Sequence, residues 1–142
     1  MRIGLYSKLA RQHISKIRGE IKENGISSDP SSIRNFRQSL LSSDKEHHKS
    51  MILSGDFFGL SLVHDILFNV QEHLFTLPQI QNALAELDLV FCGFDNPKNL
   101  TVPINGHIDE DSIYNLRAWD TLEANNNNLF IEMYQFWCQR QN

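Results

Sequence analysis

The residues best suited to chemistry lie in the segment Asn69-Val70-Gln71-Glu72-His73-Leu74-Phe75-Thr76. Its middle is polar, and it precedes a well-capped helix start. A carboxylate beside an imidazole can serve as an acid/base pair or orient a substrate. The same two side chains can instead satisfy backbone groups at helix ends. His64 stands nearby, with Asp65 beside it. Six histidines in the chain raise the question of a metal. His47 and His48 are adjacent, so on a helix they point about 100° apart and do not easily face one ion. No His-Glu-x-x-His or paired Cys-x-x-Cys spacing occurs, and no metal site is expected. Cys92 and Cys138 have apolar neighbours and read as buried, inert thiols. Glycine-rich phosphate and cofactor cradles and the G-x-S-x-G nucleophile motif are missing.

The elements that must position these groups can be read from periodicity and caps. Arg2-Ile3-Gly4-Leu5-Tyr6 has the pattern of a short strand. Ser7 can cap a helix running to about Asn24, with Ala10, Ile14, Ile17 and Ile21 as its apolar stripe and Asn24-Gly25 as its stop. Asp29-Pro30 starts a second helix whose stripe is Ile33, Phe36, Leu40 and Leu41. Residues 44–50 are polar and read as an exposed loop, and Ser54-Gly55-Asp56 as a break. A third helix is predicted from about Leu60 to Phe68. Thr76 caps a fourth, with Pro78 in its first turn. Leu89 to Phe94 reads as a strand ended by Asp95-Asn96-Pro97. Residues 97–108 read as loop. Asp109-Glu110-Asp111 then opens a fifth helix carrying Ile113, Leu116, Trp119 and Leu122, which ends at Asn125–Asn128. The spacing of Phe130, Met133, Tyr134 and Trp137 predicts a terminal helix, its aromatic cluster serving as core or interface. The expected fold is therefore α+β and mostly α. Five or six helices surround a minimal sheet of about two short strands, residues 2–6 and 89–94, which a second copy of the chain could complete.

Composition bounds the function classes. The chain has 142 residues, a net charge of −4 and 41% apolar residues, the profile of one ordinary domain rather than a disordered chain. No run approaches the roughly 18 to 20 apolar residues of a membrane span. Ile3–Tyr6 is too short for the apolar core of a signal peptide, and two cysteines make no disulfide framework, so a cytoplasmic setting is expected. Residues 1–49 carry ten Lys/Arg against five Asp/Glu, and residues 50–142 carry three against twelve. The basic half contains only Tyr6 and Phe36 as aromatics for base stacking, so contact between the halves is expected in place of nucleic-acid binding.

Three stretches carry a family resemblance. Met1-Arg2-Ile3-Gly4-Leu5-Tyr6-Ser7-Lys8-Leu9-Ala10-Arg11 resembles the strand and helix late in class I S-adenosylmethionine-dependent methyltransferases, especially those linked to tetratricopeptide repeats. Asp65 to Ile80, continuing to Gly93-Phe94, is similar to their later helix and strand. Phe130-Ile131-Glu132-Met133-Tyr134-Gln135-Phe136-Trp137 is similar to the close of those chains. The resemblance spans nearly all 142 residues but corresponds to only the last third or so of such an enzyme. The family's glycine-rich cofactor loop and its acidic residue belong to the earlier part, so no cofactor position carries over. The resemblance implies the substrate-facing side, beyond the carboxyl ends of the strands. There Tyr6, Ser7, Arg11, His64, Glu72 and His73 are the ligand candidates. It implies a non-catalytic, homo-oligomeric protein that binds a small molecule or a protein partner, with S-adenosylmethionine bound only if another chain completes the site. The alternative is one part of a split methyltransferase that supplies the substrate-side surface. A small hydrolase or isomerase using Glu72 and His73 is the third reading.

Overall fold

A computed structural model describes residues 1–69, 71–95, 112–131 and 133–141. The chain forms two compact units. The first, built from Met1–Arg11 and His73–Asn142, contains the sheet. The second, Gln12–Glu72, is helical.

In chain order the elements are strand β1 (Arg2–Ser7), helices α1 (Gln12–Glu23), α2 (Pro30–Leu41), α3 (Glu46–Ile52) and α4 (Leu60–Val63), strand β2 (Leu74–Phe75), helix α5 (Leu77–Glu86), strand β3 (Leu89–Phe94), helix α6 (Leu116–Asn125) and strand β4 (Tyr134–Arg140). Helix α4 continues as a π-helical turn over His64–Phe68, and short 3-10 turns cover Gly55–Phe58 and Ser112–Tyr114.

The two-strand sheet expected from sequence is corrected to four strands in the order β2-β1-β4-β3. Strand β1 runs parallel to β2 through Tyr6↔Leu74 and Ser7↔Phe75. It runs antiparallel to β4, from Arg2↔Trp137 to Leu5↔Tyr134, and β4 is antiparallel to β3. The strands thus fill the sheet from within one chain, and no second copy is needed to complete it. The predicted terminal helix is strand β4. Tyr134, Phe136 and Cys138 are buried while Trp137, Gln139 and Arg140 are exposed, and this period of two belongs to a strand with one covered face. Between Phe91↔Cys138 and Phe94↔Phe136 strand β3 carries one extra residue. Gly93 takes φ +111° there, a conformation that L side chains rarely adopt. The bulge turns Phe94 inward beside Phe91, and the rings lie 5.1 Å apart. Helices α5 and α6 contribute Leu77, Ile80, Leu84, Leu116 and Trp119 to the same core.

In the helical unit, Ile14, Ile17 and Ile21 of α1 pack with Ile33, Phe36 and Leu40 of α2, Met51 of α3, and Val63 and Leu67. Helix α1 begins at Gln12, not Ser7, because β1 extends through Ser7. Its end follows the expectation: Gly25 has φ +60°, Ile26 N–H donates to Ile21 O at 3.0 Å and Gly25 N–H to Lys22 O at 3.3 Å, a Schellman arrangement. Residues 44–50 are expected as an exposed loop, but from Glu46 onward they form the start of α3, in which His48 and Met51 are buried. Asp29 caps α2, its carboxylate accepting from Ser31 N–H and Ser32 N–H at 3.0 Å each. Hydrogen bonds from the Ser31 and Ser32 hydroxyls, with the Ser32 N–H, hold the carboxyl below the usual range. Asp29→Ala should cost about 1 kcal/mol of stability, read as a lowered urea midpoint, and an unchanged midpoint would show the cap to be idle. Thr76 and Gln79 form a capping box at the start of α5. Asn115, not an acidic residue, caps α6, whose end at Asn125 is as expected. Ile113 lies in the 3-10 turn before it. The loop assigned to residues 97–108 and the acidic start at residues 109–111 lie outside the described residues.

Two ion pairs join the basic first part of the sequence to its acidic second part, one within each unit. Arg2 Nε lies 2.6 Å from Asp95, and Arg18 Nη1 lies 2.9 Å from Glu72. No helix among the described residues is long and apolar enough to cross a membrane.

Candidate functional site

The six ligand candidates divide between the units. In the sheet unit, the Arg11 guanidinium lies 3.8 Å from the centroid of the Tyr6 ring, a cation–π contact at the carboxyl end of β1. His73 is exposed just before β2. Ser7 points inward and is buried. Its hydroxyl accepts from Ala10 N–H at 3.1 Å and donates to Glu123 Oε1 at 2.5 Å. In the helical unit, Glu72 accepts from Arg18 Nη1, whose Nε donates to Ile66 O at 2.8 Å. His64 stacks on Phe68, centroids 6.3 Å apart and planes inclined by 12°. Tyr6 and Arg11 are therefore brought together, whereas Ser7 and Glu72 are committed to internal bonds.

Glu123 was not singled out from sequence. It lies on the inner face of α6, following Leu116 and Trp119 at helical spacing, and is fully buried. The Tyr134 hydroxyl donates to its Oε2 at 2.7 Å and lies 2.9 Å from Oε1. Burial pushes the Glu123 carboxyl above its ordinary value, against the opposing effect of the bonds from Ser7 and Tyr134, while Asp120 adds to the rise. Burial likewise raises the Tyr134 hydroxyl. These three groups tie β1, α6 and β4 together through a closed network.

The helical unit contains a cleft of about 620 Å³. Ile21 and Ile26 from the end of α1, with Leu67 and Phe68 from the π-helical turn, give it apolar walls, and Arg18 and Lys22 stand at its edge. Gly19 also lines it. A side-chain Cβ built at Gly19 would meet nothing within 4 Å, so packing does not require glycine at that position. Glycine in a helix interior costs about 1 kcal/mol relative to alanine. Gly19 thus adds no side chain to the cleft lining. The volume lies within the range of small-molecule sites, which are mostly apolar with a few placed polar groups. The periodicity of α1 marks Ile21 as core, but the cleft depends on the Gly25 turn and on Leu67-Phe68, which sequence spacing does not connect. The one readable sign was a glycine between Arg18 and Ile21 in an otherwise regular helix.

No protein-family model matches the chain, and no curated protein matches it in sequence.

Proposed function

We propose that this chain is a binding segment similar to the substrate-side part of an S-adenosylmethionine-dependent methyltransferase, and that its helical unit receives a small molecule with an apolar body and an anionic group. The observation that carries the reading is the cleft of about 620 Å³ walled by Ile21, Ile26, Leu67 and Phe68, with Lys22 and the side-chain-free Gly19 also on its lining. The apolar walls select the body of the ligand, and the Lys22 ammonium selects negative charge. The three stretches that carry the family resemblance supply β1, the π-helical turn through β3, and β4, and the three strands are neighbours in one sheet. Binding rather than catalysis is assigned because Glu72, Ser7 and Glu123 are each engaged by internal partners.

Calorimetric titration of the full chain with decanoate, decylamine and S-adenosylmethionine tests the reading. Decanoate should bind with a Kd on the order of 0.1 mM, from the burial of part of its chain set against the cost of association. Decylamine and S-adenosylmethionine should give no heat of binding. Gly19→Leu should abolish decanoate binding while stabilising α1 by about 0.8 kcal/mol, so loss of binding cannot be blamed on unfolding. Undiminished decanoate binding by Gly19→Leu, or equal affinity for the amine, would contradict the assignment.

A further inference from the structure

A second group of side chains in the helical unit converges in a way its secondary structure makes hard to achieve. His47 and His48 are consecutive on α3, yet both imidazoles reach the same carboxylate on α1. His47 Nε2 lies 2.9 Å from Glu20 Oε1 and His48 Nε2 2.5 Å from Glu20 Oε2. The rings stand 4.5 Å apart at 69°. Donor atoms of all three residues lie within 4.8 Å of one another. His48 is buried, and its second nitrogen, Nδ1, lies 2.7 Å from Ser43 Oγ.

We propose that Glu20, His47 and His48 form a binding site for a divalent metal ion of the zinc type. Two imidazoles and one carboxylate are a zinc donor set, and three protein ligands leave one position open. On a tetrahedral zinc, ligand atoms are about 3.3 Å apart, given bond lengths near 2.0 Å. The two nitrogen–oxygen separations, 2.9 Å to Oε1 and 2.5 Å to Oε2, need to open by less than an ångström, and all the donor atoms lie within 4.8 Å of one another. Without metal, His48 Nε2–H donates to Glu20 while Nδ1 accepts from the Ser43 hydroxyl. With metal, Nε2 offers its lone pair and Nδ1–H donates to Ser43 Oγ. A hydroxyl can take either role, so Ser43 fixes the ring in both states, as an outer-shell partner does.

The electrostatics suit a cation. The Glu20 carboxylate is approached by Lys45, His47 and His48 together. The Lys45 ammonium, 2.7 Å from Glu20 Oε1, stands in for the missing positive charge. Its side chain is 58% exposed, so it can swing into solvent when an ion enters. This competition distinguishes a metal site from a plain ion-pair cluster. In a cluster Lys45 is a contributor, whereas at a metal site it is a rival.

Zinc(II) titration of the full chain, in competition with a chromogenic chelator at neutral pH, decides between them. The expected result is one equivalent of zinc bound, weakened about 100-fold in His48→Gln and strengthened about tenfold in Lys45→Met, where a competing charge is gone. If His48→Gln fails to fold by circular dichroism, His47→Gln, at a less buried position, takes its place and should also weaken binding. Absence of zinc binding by the parent chain would overturn the site. So would affinity unchanged in His47→Gln and in Lys45→Met, which would place any bound zinc elsewhere.

Discussion

Phe94→Ala should lower the stability of the sheet unit by about 3–5 kcal/mol, a large share of the 5–15 kcal/mol typical of a folded domain. Phe94 is the centre of the aromatic core. Its ring lies 4.7 Å from Phe130, 5.1 Å from Phe91 and from Trp119, and 6.2–6.3 Å from Phe136 and Tyr134. Removing it opens a cavity walled by five other rings, which hold one another too firmly to collapse into it. It also deletes several edge-to-face and tilted contacts, each worth about 0.5–1.5 kcal/mol. The bulge at Gly93 serves only to aim this side chain inward, so the variant also removes the reason for the bulge. Urea unfolding followed by tryptophan fluorescence reports directly, because Trp119 is one of the walls. Val90→Ala, on the same strand but 41% exposed, is the control and should shift the midpoint far less. A loss below about 1 kcal/mol in Phe94→Ala would mean that the core is not organised around this ring.

Glu123→Ala should cost about 2–4 kcal/mol, because it leaves the Ser7 and Tyr134 hydroxyls buried without their acceptor. The pH dependence is the more specific test. The folded chain holds the Glu123 proton more tightly than the unfolded chain, whose carboxyl titrates near 4.5. A carboxyl raised on folding adds stability that is fully present below the unfolded value and is lost as pH rises through the folded one. The parent should therefore lose stability relative to Glu123→Gln as pH is raised from 4.5 toward 8, since the amide keeps the shape and cannot ionise. Measuring urea midpoints of both proteins across that range checks the sign. Parallel curves, or a parent that gains on the variant, would show that Glu123 is already ionised at no cost in the fold.

The parts of the fold legible in sequence were those set by local chemistry. Asp29-Pro30, Thr76 with Pro78, and Asn24-Gly25 each dictate a cap through the residues themselves, and the structure has a helix boundary at each. Elements whose character comes from distant partners were misread. Helix α3 looks like loop because its seven residues include two histidines, a lysine and a glutamate. It is held by His48 bonding to a carboxylate 28 residues earlier in the chain. Strand β4 offered two periods at once. Phe130, Met133, Tyr134 and Trp137 suit a helix, whereas Tyr134, Phe136 and Cys138 suit a strand. Only the neighbouring strands β1 and β3, far off in sequence, decide for the second. Ser7 was taken as ligand-facing because it ends a strand. Its direction is set by Glu123, a carboxylate at a core position that no local pattern announces. Of the six candidates, Tyr6 and Arg11 are in direct contact with each other. The cleft had to be found in three dimensions.

The central claim, that the helical unit is the ligand-receiving part, is tested most directly by following backbone amide signals of the full chain in a ¹H–¹⁵N NMR titration with decanoate. Saturable shifts are expected within residues 18–28 and at Leu67 and Phe68, around the cleft, and none in Gly19→Leu. Shifts confined to Tyr6, Arg11 and His73, or none up to millimolar decanoate, would contradict it.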